Sequence, residues 1–187
     1  MGRILKTLCL GASTAVLAWS AAANEQLQQM EGDAKNWVMP TGNYANHRYS
    51  TLDQINKQNV NQLQVAWTFS TGTLRGHEGT PLVIGNVMYV HTSFPNIVYA
   101  LDLAKEGAPL IWKYIPQQSP DAIPIACCDL VNRGTAYHQS GKIYINALQG
   151  DLIALDAKTG KELWKARHPE KSGAGIEAVT YKDGATI

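Results

Sequence analysis

The stretch Ala154-Leu155-Asp156-Ala157-Lys158-Thr159-Gly160-Lys161-Glu162-Leu163-Trp164 decides the fold, because it has the form A-x-D-x-x-T-G-x-x-x-W. A looser copy contains Ala100-Leu101-Asp102, Gly107 and Trp112, and Trp67 lies where an earlier unit would end. Tryptophan spacings of 45 and 52 residues suit repeated four-stranded units. In each unit the aspartate and Thr-Gly make a tight turn, and the tryptophan docks on a neighbour. The pattern predicts β-propeller blades, and an ordinary hairpin with a core tryptophan is the alternative.

Short runs of β-forming residues around these turns predict an all-β fold. The four clearest runs are residues 87–91, 97–101, 142–146 and 152–155. Helical periodicity is weak, with room for one or two short turns in residues 51–60. A closed propeller needs about 4–8 blades, whereas these residues supply roughly three. We therefore expect residues 24–187 to be the truncated N-terminal portion of a longer propeller domain.

The first residues predict export. Arg3 and Lys6 precede an apolar stretch over residues 7–19, and small residues follow as far as Ala23. This is typical of a signal peptide of residues 1–23, and the apolar stretch is too short for a stable membrane span. An N-terminal helical anchor is the alternative. We expect a periplasmic protein that loses Cys9 with the signal peptide.

Two adjacent cysteines, Cys127 and Cys128, remain in the mature sequence. A trans peptide holds neighbouring Cα atoms about 3.8 Å apart, whereas ordinary disulfides span roughly 4.4–6.8 Å. A vicinal disulfide is therefore rigid and gives almost no stabilisation by loop closure. In an oxidising compartment the pair predicts such a disulfide, used as a hard surface against a ligand. Buried free thiols are the alternative, and no CxxC spacing or histidine pair supports a zinc site.

The charge balance gives no sign of a polyanionic partner. The sequence has 16 basic and 15 acidic residues, and the signal peptide removes two of the basic ones. Nothing in this balance indicates binding to nucleic acid or to an anionic membrane surface.

Several stretches resemble the N-terminal part of the pyrroloquinoline quinone (PQQ)-dependent alcohol dehydrogenases, most closely the methanol dehydrogenase large subunits. The resemblance runs from about residue 36 to Trp164. Its strongest segments are residues 66–72, Gly76-His77-Glu78-Gly79, residues 89–96 and Cys127-Cys128-Asp129-Leu130-Val131-Asn132-Arg133-Gly134. It implies an eight-bladed propeller with PQQ on its axis, stacked between the vicinal disulfide and a tryptophan of a later blade.

The resemblance also implies roles for four residues. Cys127 and Cys128 match the disulfide that covers PQQ, Arg133 matches the arginine that pairs with a PQQ carboxylate, and Glu78 matches an acidic residue hydrogen-bonded to the cofactor. A planar guanidinium suits a carboxylate chemically. The structural alternatives are a surface or inter-blade salt bridge for Arg133 and a turn-capping carboxylate for Glu78. We interpret His77 and His91 as packing residues.

Other family residues have no counterpart here. The threonine that contributes a hydroxyl to PQQ falls on Gly175, and neither Ser172 nor Thr180 is a convincing substitute. The catalytic aspartate base, the metal ligands and the tryptophan floor all match positions beyond Ile187. We therefore expect no catalytic or metal-ligating residue in this sequence, and no alcohol-dependent dye reduction by the 187 residues alone.

The resemblance implies a periplasmic dehydrogenase that oxidises methanol or another small primary alcohol with PQQ and Ca²⁺ or a lanthanide. A c-type cytochrome would accept the electrons, and the parent protein would form a dimer or carry a small subunit. A non-catalytic periplasmic propeller scaffold is one alternative, but it would need neither the cysteine pair nor Gly-His-Glu-Gly. A quinoprotein that oxidises sugars or polyols is the other.

Overall fold

Strands make up most of the regular structure in the computed structural model, which describes residues 25–124, 126 and 129–167. The strands are β1 (Leu82–Ile84), β2 (Val87–His91), β3 (Val98–Asp102), β4 (Leu110–Tyr114), β5 (Thr135–His138), β6 (Lys142–Asn146), β7 (Asp151–Asp156) and β8 (Glu162–Arg167). One short helix, α1, spans Glu25–Met30, and 3₁₀ turns lie at Val60–Gln62 and Pro120–Ala122. The all-β prediction is confirmed, and the predicted strand bounds agree within one residue at either end. The helix α1 was not predicted.

The strands form two antiparallel sheets in the orders β1-β2-β3-β4 and β5-β6-β7-β8. Each sheet is a meander in which consecutive strands pair, as short turns permit. The β1–β2 connection is the two-residue turn Gly85-Asn86, where Gly85 adopts a φ of 60° that favours glycine. Trp37 extends the first sheet by exchanging two 2.9 Å backbone hydrogen bonds with Val83.

The core lies between the two sheets. Strands β3 and β7 are buried along almost their whole length, whereas β4 and β8 are largely exposed. One apolar cluster combines residues of both sheets: Leu82, Tyr89, Val98, Ala100, Trp112, Ile143, Ile145, Ala147, Ile153, Leu155 and Ala157. Burial of these side chains joins the sheets face to face, since apolar area removed from water is the main favourable term in packing.

The docking role predicted for tryptophan is seen between the sheets. Trp112, at the end of the first unit, donates a 3.0 Å hydrogen bond from Nε1 to the carbonyl oxygen of Ala157 in the second. Within the second unit, Asp156 Oδ1 accepts hydrogen bonds from the backbone and hydroxyl of Thr159, which closes the turn. The two sheets are therefore consecutive, docked propeller blades. The segment around Trp67 is assigned no strand.

Candidate functional site

The candidate site lies where two loop segments lead into β1 and β5. Glu78 comes four residues before β1, and Arg133 comes two residues before β5. Because β1 and β5 are equivalent strands at the start of successive blades, their leading segments emerge at the same end of the two sheets. The blade topology thus brings together two sequence motifs that are far apart along the chain.

Two ion pairs join these segments. Arg133 Nε lies 3.2 Å from Glu78 Oε2, and Arg75 Nη1 lies 3.8 Å from Asp129 Oδ1. The structure therefore contains a salt bridge of the kind given above as the alternative role of Arg133. The residue that Arg133 pairs with is Glu78, the other predicted cofactor ligand. Side-chain exposures of 84% for Arg133 and 50% for Glu78 place this pair in the solvent-exposed class. Such pairs contribute only about 0–1 kcal/mol to folding, so stability alone is a weak reason for them.

A cleft of about 310 Å³ opens beside Arg133. Its lining comes from both blades: Asn96, Val131, Asn132, Arg133, Gly134, Asn146, Ala147 and Leu148. Amide groups and one guanidinium dominate its polar surface, which gives it donors for carbonyl and carboxylate oxygens. A volume of this size falls at the lower end of the range for small-molecule sites, roughly 300–1,000 Å³.

The floor of the cleft is fixed by Asn96, which is 1% exposed. Its Oδ1 accepts hydrogen bonds from Leu148 N at 2.9 Å and from Gln118 Nε2 at 3.1 Å. Asn96 also lies in the turn between β2 and β3 with a φ of 59°, a conformation that asparagine tolerates better than most residues. The same turn also binds the loop that carries Arg133, because Phe94 N donates a 2.8 Å hydrogen bond to Leu130 O.

The contact between His91 and Asn132 was not predicted from the sequence. His91 is 4% exposed, and its Nε2 lies 3.0 Å from the carbonyl oxygen of Asn132. Burial lowers the pKa of His91, although the hydrogen bond to Asn132 acts in the opposite direction. Both residues lie inside segments already singled out by the sequence, which is the signal that could have found them.

Other predicted residues lie elsewhere. Cys127, Cys128 and Gly175, together with the 1–23 signal peptide, fall outside the described residues, so the disulfide and the export signal stay predictions. His77 lies 3.2 Å from Thr71 Oγ1 through its Nε2. Among the residues that the structure describes, no cluster of three or more His, Cys, Asp or Glu is placed to hold a metal ion. The described part of the chain also has no helix long and apolar enough to cross a bilayer.

Two docked four-stranded blades with a polar cleft at one end are the architecture of part of a β-propeller. A family model for the glucose/ethanol/alcohol dehydrogenase β-propeller domain, a PQQ-binding family, matches residues 37–165. The chain belongs to this family.

Individual relatives agree with that membership. The chain is 55% identical over 150 residues to a lanthanide-dependent methanol dehydrogenase of Methylacidiphilum fumariolicum, covering 80% of this chain and 24% of the relative. It is 47% identical over 178 residues to methanol dehydrogenase (cytochrome c) subunit 1 of Methylobacterium organophilum, covering 92% and 28%. A solved europium-containing methanol dehydrogenase superposes with a TM-score of 0.75 at 55% identity, covering 78% and 25%. The chain thus spans about a quarter of the length of these relatives.

Proposed function

We propose that the protein carrying this sequence is a periplasmic PQQ-dependent dehydrogenase that oxidises methanol or another small primary alcohol to the aldehyde. The observation that carries this proposal is the 3.2 Å ion pair between Glu78 and Arg133, beside a cleft that Arg133 lines. Family membership supports the cofactor, and the N-terminal sequence supports export. A dimer or an additional small subunit is part of the same proposal.

The described residues fit PQQ in their chemistry. PQQ is a planar, aromatic molecule with several carboxylates, and Arg133 offers a planar guanidinium that is 84% exposed at the edge of the cleft. Glu78 pairs with the Nε atom of that guanidinium, so the two Nη groups can face a carboxylate of the cofactor. Glu78 itself can accept a hydrogen bond from the pyrrole N–H or share a proton with a cofactor carboxylate.

The role of this part of the protein is binding and orientation. When bound, PQQ with its metal ion supplies the two-electron chemistry of alcohol oxidation. Arg133 neutralises cofactor charge, Glu78 fixes the orientation of Arg133, and the amides of the cleft offer hydrogen bonds to cofactor oxygens. The Cys127-Cys128 pair, as a disulfide, would cover one face of the ring system.

We infer that the metal ion is a lanthanide or Ca²⁺, and two relatives named as lanthanide-dependent, 55% and 54% identical, favour the lanthanide. Identity is 47% to the subunit named with cytochrome c, and that name supports a c-type cytochrome as electron acceptor.

The test is reconstitution of the full-length protein that carries this sequence, expressed with its own N-terminal residues. We expect methanol-dependent reduction of an artificial dye that requires PQQ and is faster with La³⁺ than with Ca²⁺. Glucose and glycerol serve as comparison substrates, and a preference for either would replace the alcohol assignment with the sugar or polyol one. A folded protein that retains no PQQ in equilibrium dialysis would contradict the proposal and favour a non-catalytic scaffold.

A further inference from the structure

We propose that His91 is a positioning residue for the cofactor site, which sets the location of Arg133 by hydrogen-bonding the backbone of Asn132. The inference rests on the proposed function. It concerns a histidine that packing alone would otherwise explain.

The hydrogen bond fixes the protonation of the ring. A carbonyl oxygen can only accept, so Nε2 of His91 must carry the hydrogen in its 3.0 Å contact with Asn132 O. Burial lowers the pKa of this imidazole, which keeps the ring neutral at pH 7 and leaves Nδ1 without a hydrogen. That Nδ1 atom is buried and has no hydrogen-bond partner among the described residues. One ring nitrogen of His91 therefore binds the loop that carries Arg133. The other nitrogen has no partner, which costs stability.

The ring also contacts the other site segment. A Cβ at position 79 would overlap the His91 imidazole and would lie 2.9 Å from Asn132 O. Gly79 therefore permits a close approach that no other residue would allow. Gly79 is the neighbour of Glu78, and Asn132 is the neighbour of Arg133. One imidazole thus contacts the residue beside each predicted cofactor ligand.

Asn132 is also held by the second blade. Its Nδ2 donates a 2.7 Å hydrogen bond to Asn146 O at the end of β6, and its Oδ1 accepts one from Gly134 N at 3.1 Å. His91 occupies the corresponding place at the end of β2. The backbone that carries Arg133 is therefore fixed between the ends of equivalent strands in two blades, while its guanidinium stays exposed.

Fixing the backbone matters more for ligand binding than for folding. An exposed guanidinium must lie within hydrogen-bond distance of a cofactor carboxylate, and ordering it at the moment of binding lowers affinity. A misplacement of about 1 Å at a site can cost about two orders of magnitude in function.

The test compares His91→Gln with His91→Met in the full-length protein, prepared without PQQ. Glutamine keeps an N–H donor near the Nε2 position, and methionine has a similar length without one. We expect H91Q to bind PQQ within about threefold of the wild type and H91M to bind at least tenfold more weakly, by Trp fluorescence quenching of the apoprotein. Urea midpoints for the two variants should agree with each other. NMR of the apoprotein labelled with ¹⁵N-histidine should show the Nε2–H tautomer for the resonance that is lost in H91Q.

If H91M does not fold, the NMR tautomer of the wild type still tests the His91 contact. Asn132→Ala tests the contact of the same loop with the second blade, since alanine removes the side-chain bonds to Asn146 and Gly134 and keeps the carbonyl that His91 contacts. We expect the same loss of PQQ affinity from N132A, and none from Asn61→Ala on the exposed 3₁₀ turn. Equal PQQ affinities for H91Q and H91M, or an Nδ1–H tautomer, would overturn the inference and leave the proposed function intact. Unchanged affinity in N132A would overturn the claim that the second blade fixes the same loop. A wild-type protein that binds no PQQ would instead overturn both.

Discussion

The indole of Trp112 lies directly against Gly160 of the next blade, where a Cβ would be 2.5 Å from both Cδ2 and Cε3 of the ring. Gly160 also has a φ of 70°, a backbone conformation that costs other residues about 1–2 kcal/mol. The glycine of the repeat therefore serves two purposes, as the turn residue of its own blade and as the docking surface for the preceding one.

Gly160→Ala should therefore destabilise the protein more than a turn glycine elsewhere. Gly141 has a similar φ of 76° but nothing within 4 Å of its would-be Cβ, so Gly141→Ala measures the backbone cost alone. We expect G160A to lower the free energy of unfolding in urea by about 1–3 kcal/mol more than G141A, because the indole must shift. Equal losses would show that Trp112 moves aside without cost.

The exposed ion pairs give a test of cofactor binding. Arg133→Gln should weaken PQQ binding by roughly 10–100-fold, since a hydrogen bond to a charged group is worth about 1.5–3 kcal/mol. Arg75→Gln is the matched control, because Arg75 forms the neighbouring ion pair and is 61% exposed. Equilibrium dialysis against PQQ checks the affinities, and urea unfolding should change by less than about 1 kcal/mol in both variants. Equal PQQ affinities for R133Q and R75Q would support the purely structural interpretation of Arg133.

Stability in acid should depend on Asp151, whose side chain is buried. The Arg167 guanidinium, bonded through Nε at 2.8 Å, holds the pKa of the Asp151 carboxyl below its usual range. The unfolded chain, with a carboxyl pKa of about 3.9, then binds more protons, so stability is present above about pH 4 and is lost as the pH falls through the folded pKa.

Asp151→Asn should remove part of this acid-dependent loss and cost about 1–3 kcal/mol at neutral pH. Urea unfolding at a series of pH values between neutrality and acid measures both effects. Asp53→Asn, on an exposed loop, is the control for the loss of a carboxylate. An unchanged pH dependence in D151N would rule out Asp151 as a source of acid sensitivity.

The carbonyl of Ala157 accepts two hydrogen bonds from the first blade. Tyr89 donates its hydroxyl at 3.1 Å and Trp112 donates Nε1 at 3.0 Å. Tyr89→Phe should cost about 1 kcal/mol, because the carbonyl keeps its bond to Trp112. Thermal and urea unfolding would detect the change, and Tyr49→Phe, 73% exposed, should have no effect. A loss well above that size in Y89F would mean that the blades dock cooperatively through this carbonyl.

The sequence predicted the blades well and the site only in part. Runs of β-forming residues and the Asp, Thr-Gly and Trp residues are local signals, so β2 and β6 were predicted with the bounds that the structure gives. Glu78 and Arg133 were proposed separately, each from its own motif. Their 3.2 Å contact could not be predicted, since it depends on two loops meeting across blades. His91 was interpreted as a packing residue because an isolated histidine carries no local sign of a backbone partner 41 residues away.

The sequence by itself therefore determined the all-β class, the turn and docking residues, and the family, because these are written in local patterns and short motifs. Only the tertiary structure decided which residues share the cleft, that Arg133 pairs with Glu78, and that His91 and Asn132 hold the segment between two blades. The physical reason is that strand pairing depends on neighbouring residues and turns. The site depends on the face-to-face packing of two sheets, which no local stretch of sequence encodes.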